Sequence, residues 1–454
     1  MAVNYRTPGI YVEELPGGPR PIEAVGTSTA GFVGVAPLAD APRDTAVAIG
    51  NWSQFVRTFV GDSTTVTPLV SAVFGFFQNG GRRCYVVNVG EGEPIAGGRR
   101  RRGLDVLAQV DEVAIVAAPG YVDAASHDAL LGHCESLRDR VAILDLPADV
   151  ADLGTLTRVE SVAAEGPSAP AATTGAGDEE EGRPAGGGGA AGGGAGAASG
   201  GAGTSSGGAA GGGGGGRRTG GDDGPAPGVR PRQSDGGYGA AYFPWITVRD
   251  PLGSDATVAV PPSGHLAGVW ARTDAMRGVH KAPANESIRG ALGLTYVVTD
   301  AEQEELNPVG VNCLRLFTRE GIRVWGARTL ADGSSEWRYL NVRRLFNMIE
   351  ESIVLSTRWI VFEPNDRTLW KSIRRDVTAF LMRLWRDGAL MGRTPEEAFF
   401  VQCDEETNPP EVVDAGQVIT VIGIAPVKPA EFIVFRVSQH SAGSDVETGA
   451  AVNV

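Results

Sequence analysis

The sequence predicts an α/β (α+β) fold in which helices flank a mixed sheet. Apolar strand and helix segments alternate between residues 26 and 145. Two amphipathic helices follow in the C-terminal third, between Asn341 and Arg386. A Gly-rich stretch, residues 166–237, interrupts the first half without ending its strand pattern. Alternation of this kind favours helices layered on a sheet, and 454 residues are enough for two or three domains.

The first segment, residues 1–25, is predicted to be an extended arm. A short strand candidate lies between a Thr7-Pro8-Gly9 turn and a run rich in Pro and Gly, and it contains Ile10, Tyr11, Val12 and Glu13. A lone strand is not stable by itself. It must therefore pair with a sheet edge, and the residues leave open whether that edge belongs to its own domain or to a neighbour.

Residues 26–280 are predicted to form a peripheral α/β domain. Its apolar strand candidates are Thr29–Ala36, Ala46–Ile49, Cys84–Val89, Val113–Val116 and Val141–Asp145, with helices between them. Residues 166–237 lack the apolar side chains whose burial would offset the entropy cost of ordering the chain, so we expect a disordered insert. Because Ala240–Val248 resumes with strand character, the stretch is interpreted as an insertion into one sheet rather than a linker between domains.

Residues 281–430 are predicted to form an inner domain. Leu314–Phe317 and Ile322–Gly326 are strand candidates, and so is Trp359–Phe362. The second amphipathic helix follows, with Asn365 or Asp366 as its cap and Gly388 at its end. Its apolar residues repeat at three- and four-residue steps, and its opposite face is basic, including Lys371, Arg374 and Arg375. One face therefore needs a core, and the other needs water or an acidic partner.

The C-terminal part contains two apolar strand candidates joined by Pro426-Val427-Lys428-Pro429. The second strand candidate contains Phe432, Ile433, Val434 and Phe435 and opens a C-terminal arm and tail, residues 431–454. Pro426 and Pro429 restrict the backbone between the two strands, so we interpret this tetrapeptide as a stiff hinge.

Composition and motifs exclude several classes of protein. A net charge of −14 argues against a general nucleic-acid binder. The four cysteines lack metal-ligand spacing and suggest reduced thiols in a cytoplasmic product. Residues 1–18 contain no apolar stretch behind a basic one, so we expect no secretory signal, and no apolar run approaches the length of a membrane span. We therefore expect no direct membrane insertion.

The sequence contains no set of residues with the types and spacing of a catalytic site, a metal site or a cofactor site. Gly26–Ala30 resembles a nucleophile elbow only loosely, because its last position is Ala. His127 and His133 lie six residues apart, too far for a helical zinc pair. No phosphate-binding loop ends in Gly-Lys-Ser/Thr. We expect no catalytic residue, no cofactor and no metal.

Five short stretches, in order along the chain, carry a resemblance to a known family. They are Tyr5–Glu14, Pro261–Gly268, Lys281–Asn285, Arg358–Asn365 and Ala425–Phe432. Together they are similar to the signatures of tail sheath proteins from contractile phage tails and phage-tail-like injection particles. The resemblance extends over most of the chain outside the Gly-rich stretch, which is not part of that family's common core.

The resemblance implies a structural subunit rather than an enzyme. Sheath subunits stack around an inner tube, and each lends its two arms to sheets of neighbouring subunits. The donated strands would be the two arm candidates given above, with Pro426–Pro429 as the hinge. Lys371, Arg374 and Arg375 would be candidates for facing an acidic tube, although a solvated outer face explains them equally simply.

The resemblance also implies partners, location and action. The partners would be many copies of the chain in a helical homo-polymer, the inner tube protein, and baseplate and terminal cap proteins. The particle would assemble in the bacterial cytoplasm and be released on lysis. Contraction of the cylinder would drive the tube through a target envelope without a nucleotide. Phage, bacteriocin-like particle and effector-delivering system remain open.

Two other functions compete with the sheath. An α/β hydrolase with an unrecognised site fits the strand–helix alternation but lacks a catalytic set. An adhesive surface protein with a Gly-rich spacer lacks a secretion signal. Hollow striated cylinders in electron micrographs would distinguish a sheath from both alternatives.

Overall fold

The computed structural model describes residues 21–98, 100–160 and 227–434. The strands are β1 (Ala30–Gly34), β2 (Val47–Ile49), β3 (Cys84–Asn88), β4 (Ile115–Ala117), β5 (Val141–Asp145), β6 (Gly239–Phe243), β7 (Ile246–Arg249), β8 (Thr257–Val260), β9 (Ala291–Leu294), β10 (Val311–Phe317), β11 (Gly321–Trp325), β12 (Phe399–Gln402) and β13 (Val421–Ile424). The helices are α1 (Trp52–Phe55), α2 (Pro68–Gln78), α3 (Leu104–Leu107), α4 (Ala124–Leu137), α5 (Ser263–Arg277), α6 (Asp300–Leu306), α7 (Leu340–Thr357), α8 (Arg367–Arg386), α9 (Pro395–Ala398) and α10 (Pro410–Asp414).

An eight-stranded mixed sheet organises the first three quarters of the chain, in the order β11-β10-β6-β5-β4-β1-β3-β2. The six inner strands run parallel, and β11 and β2 pair antiparallel at the two edges. The strands β1 and β5 are buried along their whole length, as expected for parallel strands covered on both faces. This confirms the predicted mixed sheet flanked by helices.

Helices cover both faces of this sheet. One core lies under α2 and α5, and the other lies under α3, α4 and α6. The helices α2 and α5 approach so closely that a Cβ on Gly264 would lie 2.2 Å from Ala72 Cα. Glycine is therefore required at that crossing. The remaining strands of this part, β8-β7-β9, form a separate three-stranded antiparallel sheet.

A third hydrophobic cluster, which we call the C-terminal core, surrounds α7 and α8. It includes Leu345, Trp370, Phe380 and Phe399, together with Ile22 from the beginning of the described chain. The predicted apolar face of α8 is thus buried, and Asp366 caps the helix by accepting from the backbone N–H groups of Thr368 and Leu369, at 2.9 Å each. A two-stranded antiparallel sheet, β12–β13, packs beside α8.

Several local predictions need correction. The residues Trp359–Phe362 form no strand: a 3-10 turn at Arg358–Ile360 leads directly into a bend. Residues 261–265 are not a simple turn, because α5 already begins at Ser263. Residues 240–248 contribute to two strands in different sheets, since Pro244 lies between β6 and β7.

The predicted domain and insert boundaries also differ from what the structure contains. Strands β10 and β11 belong to the eight-stranded sheet, so this sheet crosses the predicted boundary at residue 280. Residues 227–237, predicted to be part of the disordered insert, pack against the fold. There Arg232 bonds Glu135 with two nitrogen–oxygen distances of 3.0 and 2.8 Å. Ion pairs thus add to the few apolar contacts of this stretch, such as the packing of Val229 against the core.

Candidate assembly surfaces

The two-stranded sheet β12–β13 is the first candidate surface. Its strands pair from Phe399 opposite Ile424 to Gln402 opposite Val421. Within the described residues no third strand joins this sheet, and Phe400 and Val421 are 56% and 43% exposed. The Phe400 ring lies over Gly423, where a Cβ would come within 2.1 Å of it. A two-stranded sheet by itself is only marginally stable, so this sheet depends on its packing against α8. Its edges can accept further strands.

The edges of the eight-stranded sheet are covered by their own chain. Along β11, the carbonyl of Val324 accepts from the N–H of Asn285 at 2.7 Å, and Ile322 accepts from Ile288 at 3.1 Å. Beside β2, the side-chain amide of Gln54 donates to the carbonyl of Ala48 at 3.0 Å. Covered edges resist pairing with another chain. The small β12–β13 sheet is therefore the better acceptor for a foreign strand.

The chain leaves this small sheet along a fastened path. Pro426 forms an isolated antiparallel β-bridge with Leu390, and the carbonyl of Val427 accepts a hydrogen bond from Asn341 Nδ2 at 3.0 Å. The carboxylate of Glu431 binds the Arg328 guanidinium through Nε at 3.0 Å and Nη2 at 2.6 Å. Both side chains of this pair are largely buried, at 11% and 16% exposure. The predicted hinge is thus held at both of its ends.

The last described residues, Phe432 to Val434, have no such attachment. Phe432, Ile433 and Val434 are 75%, 73% and 78% exposed and adopt no regular structure. Three consecutive exposed apolar residues are unusual on a protein surface and mark an interaction site. Phe435, the fourth residue of the predicted arm strand, lies outside the described residues.

The N-terminal arm is anchored at its root. Ile22 is 1% exposed in the C-terminal core, and its carbonyl accepts from the guanidinium of Arg383. The N–H of Val25 donates to Ser352 Oγ at 3.0 Å. Residues 22–25, predicted as part of the arm, therefore belong to the body of the subunit. The predicted strand Ile10–Glu13 lies outside the described residues.

The basic face of α8 is the second candidate surface. Lys371, Arg374 and Arg375 are all exposed on the side of the helix that faces away from the C-terminal core. Arg375 bonds Asp376 at 2.9 Å, and Arg367 at the helix start pairs with Glu405. Within the described residues, Lys371 and Arg374 make no ion pair. These two cations are therefore available to a partner.

Most of the histidines and cysteines that could have carried catalysis are buried within the described residues. Burial lowers the pKa of His127 and of His265 to about 4, so both rings are neutral near pH 7. His127 contributes to packing through a 3.0 Å contact between Nε2 and the carbonyl of Asp145. Burial raises the pKa of the thiols of Cys84, Cys134 and Cys313. Inert thiols and neutral, enclosed rings are typical of a core.

The described ranges also lack two other kinds of functional feature. They contain no group of three His, Cys, Asp or Glu side chains placed to hold a metal ion. In those ranges, no helix combines the length and the apolar composition needed to cross a bilayer.

Sequence reasoning missed the contacts that fasten the arms. Arg328 and Glu431 lie 103 residues apart, and no local pattern connects them. Likewise, no local pattern connects Ser352 with Val25, although Ser352 Oγ accepts a hydrogen bond from the N–H of Val25 near the other end of the chain. The only sequence signal was the isolated acidic residue Glu431 at the start of an apolar run.

The chain is similar to known proteins over most of its length. Residues 233–330 match the family model of the phage tail sheath protein central domain, and residues 332–440 match that of the phage tail sheath C-terminal domain. The tail sheath protein of Vibrio phage KVP40 is 29% identical over 189 residues, which are 41% of this chain and 27% of that protein. The match thus spans about a quarter of that relative's length.

Two solved structures match almost the whole chain. The sheath complex of the extracellular contractile injection system PVC, in the contracted state, gives a TM-score of 0.68 at 26% identity, covering 97% of this chain and 99% of that one. The contracted helical sheath of the anti-feeding prophage gives a TM-score of 0.65 at 28% identity, covering 96% and 100%. The matched domains, the curated relatives and the shared architecture agree: the chain is similar to contractile tail sheath proteins in sequence and in fold.

Proposed function

We propose that this chain is a structural sheath subunit that polymerises into a helical cylinder around an inner tube and contracts to drive that tube through a target envelope. The likeness over 96–97% of the chain to sheaths of injection systems carries this proposal. The cylinder is part of a phage tail or tail-like particle, assembled in the bacterial cytoplasm and released on lysis. Its further partners are baseplate and terminal cap proteins.

Strand exchange connects the subunits in this proposal. Ile10–Glu13 of one neighbour and Phe432–Phe435 of another add to the open edges of the β12–β13 sheet, and main-chain hydrogen bonds supply the affinity. Residues 1–21, if extended, span about 70 Å, which is enough to reach an adjacent subunit. The exposure of Phe432 supports this assignment, because an apolar strand without a partner would otherwise remain in water. Head-to-tail contacts that do not close generate a helical filament.

Contraction requires the body of the subunit to move without unfolding. We divide that body near residue 330 rather than at 280, since the eight-stranded sheet extends to Trp325 and most of the C-terminal core comes from α7 and the residues after it. Each part carries its own hydrophobic core, and the buried ion pair of Arg344 with Asp274 joins the two, so the subunit can shift nearly as one rigid body while the arms keep the lattice connected. Energy stored during assembly drives the change, and no nucleotide is consumed.

The α8 basic face is the proposed contact with the inner tube. Lys371, Arg374 and Arg375 are exposed there, and an acidic tube would complement them. An exposed ion pair is worth about 0–1 kcal/mol, so each contact is weak. Weak contacts repeated along a cylinder hold the tube and still release it. The same weakness fits a sheath that must slide relative to the tube.

The competing hydrolase has less support. The relatives and the solved structures that match are sheath proteins, and none of their names describes an enzyme. We propose a non-enzymatic role without cofactors. Within the described residues, His127 and His265 are enclosed and neutral: Nε2 of His127 contacts a backbone carbonyl, and neither nitrogen of His265 has a hydrogen-bond partner.

Electron microscopy of the purified chain tests the proposal. We expect hollow striated cylinders from the full chain, and discrete particles from a variant that lacks residues 1–20 and 431–454. Circular dichroism of the truncated variant should match the full chain, because Ile22 and the C-terminal core are retained. Discrete particles from the full chain, in every buffer and with its tube protein present, would contradict the proposal.

A further inference from the structure

Phe362, in the loop between α7 and α8, combines two unusual features. Its side chain is 103% exposed, which is as much surface as this residue can present. Its backbone has a φ of +72°, in the left-handed region that a bulky residue rarely adopts. Its neighbour Val361 is 63% exposed. The loop therefore presents an apolar tip on a strained backbone.

The strain is imposed by both flanks of the loop. On one side, Trp359 and Ile360 pack against the C-terminal core, and the N–H of Glu363 returns to the carbonyl of Ile360 at 3.0 Å. On the other side, Asn365 donates to the carbonyl of Gln417 at 2.8 Å and accepts from Trp370 Nε1 at 2.8 Å. With both ends fixed, the loop cannot turn the ring inward.

Strained backbone and a fully exposed aromatic ring on a rigid loop are features of a contact site. Strain persists at binding and switching sites because the surrounding structure holds it there. Phenylalanine is enriched at the centres of protein interfaces, where a rigid ring fills a pocket on the partner. Neither feature contributes to the packing of the subunit itself. Both are explained if Phe362 anchors a partner.

The charges around the tip indicate the chemistry of that partner. Arg358 and Arg367 flank it, and Lys371 and Arg374 continue along the exposed face of α8. Arg367, Lys371 and Arg374 follow one another at four- and three-residue steps, so they share one face of α8, and Arg374 is about 10 Å along the axis from the helix start that adjoins the loop. We call the loop and this adjoining helix face the strip. Between Arg358 and Lys371 the acidic residues of the chain are Glu363 and Asp366, and Asp366 is occupied as the helix cap. Glu405 is paired with Arg367. The strip is on balance basic.

We propose that Phe362 is the apolar anchor of the contact between the sheath subunit and the inner tube, inserting into an apolar pocket with an acidic rim. This inference rests on the proposed function and adds a residue to it. The ring supplies the desolvated centre of the contact, and Lys371 and Arg374 supply its charged border. A purely electrostatic contact would not need the ring.

Variants that keep the backbone but remove the ring test the anchor. Phe362→Asn and Phe362→Gly both tolerate a positive φ, so neither should lower the melting temperature of the unassembled chain. Phe362→Trp retains an aromatic anchor. Met276→Asn serves as the matched control, since Met276 is 72% exposed at the end of α5, far along the chain from the loop. All four are made in the full chain and co-expressed with the cognate tube protein.

The measurement is the amount of tube that sediments with the sheath, with sheath polymerisation followed separately by electron microscopy. We expect Phe362→Asn and Phe362→Gly to retain about tenfold less tube, as for an interface anchor, while they still polymerise without tube. Phe362→Trp and Met276→Asn should behave as wild type.

Three results overturn the inference. If Phe362→Asn retains as much tube as wild type, Phe362 is not an anchor of the tube contact, and the proposed function of the chain is unaffected. Loss of polymerisation without tube assigns the loop to contacts between sheath subunits instead. If the wild-type chain itself neither polymerises nor retains tube, the proposed function fails and this inference fails with it.

Discussion

The guanidinium of Arg344 on α7 and the carboxylate of Asp274 on α5 form a buried, bidentate ion pair. The two nitrogen–oxygen distances are 2.9 and 2.5 Å, and the side chains are 3% and 5% exposed. Thr27 joins both: its hydroxyl donates to Asp274 at 2.6 Å, and its carbonyl accepts from Arg344 at 3.0 Å. The pair therefore holds the root of the N-terminal arm, the large sheet and the C-terminal core together.

Removal of one partner from this pair should destabilise the subunit strongly. In Asp274→Asn, Arg344 stays buried without a counter-charge, and breaking a buried pair costs about 3–5 kcal/mol. Denaturant unfolding of the unassembled chain measures the loss. The double variant Asp274→Leu with Arg344→Met should recover most of it, because no charge is then buried. An unchanged unfolding midpoint in Asp274→Asn would contradict this role.

Loss of the contact between Glu431 and Arg328 should release the root of the C-terminal arm. A hydrogen bond to a charged group contributes about 1.5–3 kcal/mol, so Glu431→Gln should unfold slightly earlier. The larger effect should be faster hydrogen exchange at Ala425 and Val427, whose N–H groups are hydrogen-bonded to the body of the subunit, and fewer cylinders. Asp300→Asn is the control, since Asp300 pairs with Arg315 while 87% exposed. Equal exchange rates in the two variants would refute the attachment.

Deletion of the Gly-rich stretch should leave the fold intact. The N–H of Glu160 bonds the carbonyl of Arg230 at 2.8 Å, so the two sides of the insertion already meet. Replacing residues 161–226 with about ten Gly and Ser residues shortens the loop. Each halving of the loop length lowers the entropic cost of closing it by about 0.6 kcal/mol. We expect a melting temperature equal to or slightly above that of wild type. A marked decrease would mean that the insert makes contacts that stabilise the fold.

Charge reversal on α8 should weaken the hold on the tube. Lys371→Glu with Arg374→Glu replaces two attractive charges by repulsive ones in every subunit, and the small loss per pair adds up along the cylinder. We expect sheaths that form without tube or contract early in electron micrographs. Arg57→Glu is the control, because Arg57 is equally exposed but lies in the first half of the chain. Normal extended particles from the double variant would refute the assignment of this face.

Acid should destabilise the subunit in part through His265. The ring is fully buried, neither nitrogen has a hydrogen-bond partner in the described residues, and burial lowers its pKa to about 4. The unfolded chain takes up this proton near pH 6.5, and the folded chain does so only near pH 4. The stabilising contribution is therefore complete above pH 6.5 and is lost as the pH falls towards 4, by up to about 3 kcal/mol.

His265→Leu should remove that dependence. We expect the unfolding free energy of the variant to decrease less than that of wild type between pH 7 and pH 4.5, measured by urea unfolding. Asp145, whose pKa burial raises to about 6, acts in the opposite direction but is present in both chains. The same pH dependence in both chains would mean that His265 is not a source of it.

Local patterns predicted the helices and strands that depend on local physics. The apolar spacing between Leu369 and Trp385 predicted α8, and both its cap at Asp366 and a left-handed Gly388 are present. The strand Val141–Asp145 was predicted at its exact length. The apolar run Trp359–Phe362 was assigned wrongly, because four apolar residues do not distinguish a strand from a turn with two residues packed inward and two outward.

The sequence by itself determined the layered class of the fold, the amphipathic helices and the apolar segments near both ends, because side-chain periodicity and backbone preference are local properties. Only the tertiary structure decided which sheet edges are covered, how the two ends are fastened and where the body divides. Those features depend on pairs such as Arg328 with Glu431 and Asp274 with Arg344, which are far apart along the chain. The exposure of Phe362 is of the same kind, since the packing on either side of the loop, rather than the residue itself, fixes its conformation.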